Sequence, residues 1–128
     1  MSANVTGVGT TSVGYQAGKA SLGNYNTFVG FSAGLTKTGN FNTAVGASTL
    51  QLTDGGMQCT AVGYGAAYPC TADRVTAIGN QALGANTSGG YNTAVGYIAG
   101  QSLTTGSFNC YFGYSTINSG VRLPEKLL

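Results

Sequence analysis

Apolar and polar positions alternate in short bursts along this chain, and the bursts return at a nearly fixed distance. The phrase Thr43-Ala-Val-Gly46 recurs as Thr27-Phe-Val-Gly30, Thr60-Ala-Val-Gly63, Thr76-Ala-Ile-Gly79 and Thr93-Ala-Val-Gly96, with looser copies at Thr11-Ser-Val-Gly14 and Cys110-Tyr-Phe-Gly113. The closing glycines follow one another by 16 or 17 residues. A unit that short cannot bury an apolar face alone, so each must be one coil of a solenoid stacked on its neighbours. The pattern predicts an all-β chain, a β-solenoid of about seven coils.

Within a unit the order is aromatic, Asn, Thr, small, Val, Gly, aromatic, as in Tyr25-Asn-Thr-Phe-Val-Gly-Phe31. The alternation and β-branching from the first aromatic to Val predict a five-residue strand. Tyr25, Thr27, Val29 and Phe31 then share one face, and Asn26, Phe28, Gly30 and Ser32 the other. The row Val13, Val29, Val45, Val62, Ile78, Val95 and Phe112 is apolar in every unit, whereas the preceding slot runs from Ser12 through Phe28 and Ala44 to Tyr111. That contrast predicts a buried core ladder along the Val row. It also predicts an outward, tolerant face on which Phe28 and Tyr111 are candidate contact residues.

Glycine-bearing turns at Lys37-Thr-Gly-Asn40, Asp54-Gly-Gly56, Thr87-Ser-Gly-Gly90 and Thr105-Gly-Ser107 predict corners with positive φ. Coils stacked about 4.8 Å apart would set Asn26 over Asn42 and Thr27 over Thr43, forming ladders. Nine aromatics (Tyr15, Tyr25, Phe31, Phe41, Tyr64, Tyr91, Tyr97, Phe108 and Tyr114) exceed what so thin a coil could hold. Some must lie outside, as an apolar surface that oligomerisation would cover. The chain thus divides into a lead-in over 1–10, a repeat domain over 11–120 and a tail over 121–128. The tail, which breaks the repeat, reads as a cap or a docking peptide through Leu123, Leu127 and Leu128.

Only 6% of the chain is charged, against about 25% in an ordinary soluble domain. Its 42% hydrophobic content and formal charge of +2 nevertheless argue for order over disorder. No basic stripe is present, so nucleic acid is not an expected partner. No apolar run approaches the roughly 20 residues that span a bilayer, and the start does not read as a secretory leader, so no membrane partner is expected and synthesis is expected in the cytoplasm. Cys59 occupies an Asn slot and Cys110 a Thr slot, both as small space-fillers. Cys70, between coils, is the expected exposed thiol. Without His, and with no cysteines close in sequence, neither a metal site nor a cofactor is expected. The acids are Asp54, Asp73 and Glu125, the first two in turns. No catalytic residue is therefore assigned, and the chain is not expected to be an enzyme.

The Asn-Thr-Ala-Val-Gly-Tyr-x-Ala-Gly phrase of Asn92–Gly100, with its 16 to 17 residue period, resembles the repeats of bacteriophage tail-fibre proteins. With a slightly longer period, it is similar also to the Ser-Val-Ala-Ile-Gly repeats in the heads of trimeric autotransporter adhesins. The likeness covers residues 11 to 120. It implies a left-handed β-roll assembled as a parallel homotrimer. It further implies a non-enzymatic structural and binding component of a virion: a fibre, a spike or a capsid decoration, extracellular when functional. The implied partners are further copies of the chain, other virion proteins and host surface glycans. The leader, stalk and anchor of the adhesins are not seen in this sequence, nor is the self-cleaving chaperone domain of many fibres. A surface adhesin or self-assembling extracellular filament is the alternative. Ice binding, suggested by the row Thr11, Thr27, Thr43, Thr60, Thr76 and Thr93, is disfavoured because that row shares its face with the expected core ladder.

Overall fold

The structure, a computed structural model, describes residues 7–52 and 55–117. Seven short strands, β1 (Thr11–Val13), β2 (Thr27–Val29), β3 (Thr43–Val45), β4 (Thr60–Val62), β5 (Thr76–Ile78), β6 (Thr93–Val95) and β7 (Cys110–Phe112), lie in chain order in one parallel sheet. Each coil contributes one strand, and the register pairs equivalent residues, Thr27 with Thr43 and Val29 with Val45. The Thr27 N–H donates to the Asn42 carbonyl of the next coil at 2.8 Å, and the Gly30 N–H to the Val13 carbonyl of the preceding one at 2.8 Å. Every inner strand is thus tied on both sides, which accounts for its main-chain polar groups. The chain is an all-β solenoid, with no helix among the described residues.

The strands are three residues long, not five, because the aromatic that leads each unit sits in a corner. Tyr25, Phe41, Tyr91 and Phe108 have φ of 55, 59, 58 and 61°. Left-handed backbone ends the strand and swings the ring to the outside. The predicted corner glycines divide in two. Gly55 and Gly56 do have positive φ, but Gly39, Gly89 and Gly106 do not. Close approach explains two of these: a Cβ on Gly39 would collide with the Gly56 carbonyl, and one on Gly89 with that of Gly106.

The predicted faces are inverted. Phe28, Ala44, Ala61, Ala77 and Ala94 are wholly enclosed and Tyr111 nearly so. The supposed core ladder points outward: Val13, Ile78 and Phe112 are 56%, 39% and 65% exposed, and Val29, Val45, Val62 and Val95 are half-buried. Phe28 and Tyr111 are therefore not contact residues. The alternation itself holds, but the narrow lumen admits Ala, Gly and Asn more readily than a continuous row of Val. The variable slot varies because the opposite wall compensates. An added Cβ on Gly18 would lie 2.9 Å from the Phe28 ring, and one on Gly100 would lie 2.7 Å from the Tyr111 ring. In the coils whose strands carry Ala44 and Ala77, the same wall position holds the buried Leu50 and Leu83. In these coils volume moves from one wall to the other.

The Asn ladder forms as expected, inside the lumen. Asn26 Oδ1 accepts the Asn42 backbone N–H at 2.8 Å and its Nδ2 at 3.1 Å, and Asn92 Oδ1 does the same for Asn109 at 2.8 and 3.1 Å. Between these two runs the ladder position is held by Cys59 and Val75.

Replacing Phe28 by Ala should cost about 3–5 kcal/mol, since Gly18 and Gly34 cannot fill the space the ring leaves. Ala77→Asp should be worse, as it places an unpaired charge in the lumen. Thermal melts followed by circular dichroism test both, and parent-like melting of either variant would overturn this assignment of the inner face.

Candidate functional site

Two surfaces and one internal cluster stand out. The first surface is the outer side of the sheet, where Thr and Val alternate between two rows of rings. All nine aromatics expected in excess of the interior are exposed. Because coil spacing is close to ring-stacking distance, successive rings lie face to face. Centroids are 5.3 Å apart for Tyr25 and Phe41 and 4.9 Å for Tyr91 and Phe108 in the row before the strand. In the row after it they are 5.4 Å apart for Tyr15 and Phe31 and 5.3 Å for Tyr97 and Tyr114. Gln58 and Arg74 interrupt the first row. Arg74 continues it chemically: its guanidinium carbon stands 5.2 Å from the Tyr91 ring centroid, and its Nη1 donates to the Tyr91 hydroxyl at 2.9 Å. The result is an apolar strip along most of the stack, of the kind that marks an interaction surface.

The second surface is a groove of about 280 Å³ lined by Ser48, Gln51, Tyr64, Tyr68, Gln81 and Gln101, with Gly65 and Gly84 in its wall. Gln101 Nε2 donates to Gln81 Oε1 at 3.0 Å, ordering the amides. No charged side chain lines it. Amides and phenols beside an open ring face match the hydroxyls and C–H faces of a neutral sugar better than they match a phosphate or carboxylate. The sequence did not mark this groove, because the two repeat positions that line most of it, two and five residues after the closing glycine, vary in side chain over four successive coils.

The cluster lies inside. Cys59 and Cys70 are both buried, and Cys110 is the exposed thiol, so the expected exposure of Cys70 is reversed. Lys37 is 0% exposed, and its Nζ has no hydrogen-bond partner among the described residues. Burial draws the lysine amine below its usual value, although the neighbouring Cys59, Cys70 and Asp73 pull the other way. Burial also pushes the Cys59 thiol up, and the Cys70 thiol up to about 11. These shifts all run toward the uncharged forms, the inexpensive direction for such a cluster in a dry lumen. Asp73 is spent structurally, its carboxylate accepting the Met57 N–H at 2.8 Å. Asp54 and the tail leucines Leu123, Leu127 and Leu128 lie outside the described residues.

Comparison with protein families, characterised proteins and solved structures finds no match to this chain.

The shifts predict how stability depends on alkaline pH. An unfolded chain gives up the Cys70 proton near pH 9, while the folded chain holds it to about 11. Between these values the folded state binds more protons, so stability should fall as pH rises. Lys37 acts in the opposite sense: its penalty is present below its lowered folded value and fades as pH approaches 10.5. Cys70→Ser should therefore lose less melting temperature than the parent between pH 9 and 11. Lys37→Met should stabilise the protein by about 1–3 kcal/mol at pH 7, by removing an unsatisfied buried polar group. Calorimetric melts across that range check both expectations.

Proposed function

We propose that this protein is a non-enzymatic structural and binding component of a bacteriophage virion, a trimeric fibre, spike or capsid decoration. The observation that carries the proposal is the outward Thr/Val sheet between its two aromatic rows. A single chain leaves that strip in water. Three chains packed side by side around a common axis would cover it, and would bury the Val row between chains instead of within one. Rigid stacking of this kind suits a part that holds its shape while projecting from a particle. Host glycans remain the proposed ligand, but the site moves from Phe28 and Tyr111 to the groove of Tyr64, Tyr68 and Gln81, whose uncharged polar lining favours a sugar.

The oligomeric part is tested by sedimentation equilibrium at micromolar concentration. A trimer is expected for the parent. Val62→Asp should dissociate it while leaving the coil folded, because the residue faces outward. A well-folded parent monomer would defeat the fibre reading. The ligand part is tested by titrating neutral oligosaccharides into the protein under nuclear magnetic resonance. Tyr64→Ala and Gln81→Ala should weaken binding by tenfold or more, since each loss near 1.4 kcal/mol is a factor of ten. Absence of shifts in groove residues with every sugar would exclude this site.

One observation favours a second reading. The Thr row lies on the open face, with Thr11, Thr27 and Thr60 exposed, so the argument that disfavoured ice binding no longer applies. The flanking rings make the face less uniform than a flat hydroxyl array. Thermal hysteresis in the parent protein would favour ice binding, and its absence would remove it. The filament alternative draws on the open edges of β1 and β7, which present unpaired backbone among the described residues. Electron microscopy at rising concentration separates long filaments from discrete short prisms.

A further inference from the structure

We propose that Cys59 and Cys70, with Lys37 beside them, form an internal oxidisable site whose two thiols close into a disulfide across the lumen. This stands apart from the virion reading and needs no partner protein.

The three groups meet at one carbonyl. Cys59 Sγ donates to the Ala72 oxygen at 3.2 Å, and Cys70 Sγ approaches the same oxygen at 4.0 Å. A Cβ built on Gly56 would lie 2.6 Å from that oxygen and 2.7 Å from Lys37 Nζ, so the amine hangs over the same spot. Asn86 Nδ2 donates to Cys70 Sγ at 3.7 Å and holds it in the lumen. Only weak sulfur contacts must be given up for the two sulfurs to turn toward each other. Gly56 carries no side chain, and its bare backbone leaves room for the lysine terminus. An enclosed amine without a hydrogen-bond partner is a costly thing to retain. Beside two thiols it has a use, since its charge eases the loss of a proton from either sulfur.

The location gives the bond a purpose. On either side, Asn26 with Asn42 and Asn92 with Asn109 link successive coils through side-chain hydrogen bonds. In the middle of the stack Cys59 and Val75 take the ladder position, so that Asn42 Oδ1 accepts the Cys59 backbone N–H at 2.9 Å but no side-chain amide carries the ladder on. A disulfide from Cys59 to Cys70 would close a loop within the one coil that Cys59 begins, bracing it where its own ladder residue carries no amide.

With hydrogen peroxide as oxidant, the chemistry balances as follows. One sulfur attacks peroxide beside Lys37 Nζ; the O–O bond breaks, the sulfur becomes a sulfenic acid, and the departing oxygen takes up the thiol proton to leave as water. The second sulfur displaces the hydroxyl group from the sulfenic sulfur. The S–S bond forms, and the second thiol proton leaves with that hydroxyl as another water. Two thiols have lost two electrons and two protons, and one peroxide has become two waters.

The test is peptide mapping of the folded full chain before and after peroxide, with alkylation of free thiols under denaturing conditions. After oxidation the parent should retain alkylation at Cys110 alone, yield a linked peptide pair containing residues 59 and 70, and melt several degrees higher. Cys110→Ser should behave alike at the other two sites, while Cys59→Ser or Cys70→Ser should abolish the linked pair. Lys37→Met should slow closure at pH 7 at least tenfold. Cys59 and Cys70 still fully alkylated after treatment, or linked only to other chains, would overturn the disulfide. An unchanged rate in Lys37→Met would overturn the lysine's part in it.

Discussion

Everything in this molecule depends on backbone pairing between successive coils in strict register. Parallel hydrogen bonds hold neighbouring strands at one spacing, and Gly14, Gly30, Gly46, Gly63, Gly79 and Gly96 stack where no side chain would fit. Adding a Cβ to Gly63, for example, would bring it within 2.6 Å of the Gly79 carbonyl. Once that distance is set, like residues lie over like. Rings stack on rings outside, amides bond amides inside, and charge has little part to play. The low charge of the sequence is thus a consequence of the ladder chemistry.

The narrow lumen is the second constraint, and it acts on pairs of positions. Phe28 faces Gly18 and Gly34, Tyr111 faces Gly100, and the coils of Ala44 and Ala77 carry Leu50 and Leu83. No position on either wall is invariant, yet the cross-section stays filled. This trade between walls also bears on the cluster of Lys37, Cys59 and Cys70, which fills the one stretch where neither the Asn ladder nor a large apolar side chain does so.

The repeat, the parallel strands and the inter-coil ladders were legible in the sequence because each depends only on periodicity. The inner face was not, because its signal is a correlation between two slots, and variability at Phe28 and Tyr111 taken one slot at a time resembles freedom at a surface. The constant Val row suggested a core, whereas its constancy belongs to the outer sheet. Cys70 was misplaced for a related reason: its position relative to Cys59 depends on how each coil closes, and one-residue differences in coil length hide the correspondence. The groove of Tyr64, Tyr68 and Gln81 was not legible, since the repeat positions that line it carry side chains of different kinds from coil to coil.

The left-handed corners carry a further consequence for how the fold arises. Tyr25, Phe41, Gln58, Arg74, Tyr91 and Phe108 all hold φ between 55 and 61°, a conformation that costs an L-residue roughly 1–2 kcal/mol. A lone coil would meet that cost at several corners with no neighbour to pair its backbone, so its local preferences oppose its final shape. Order must therefore arrive collectively, with a minimum number of coils forming together before any is stable. Such a chain converts small changes in length into large changes in cooperativity, and its folding is governed by contacts between turns of the stack over the inclinations of any one of them.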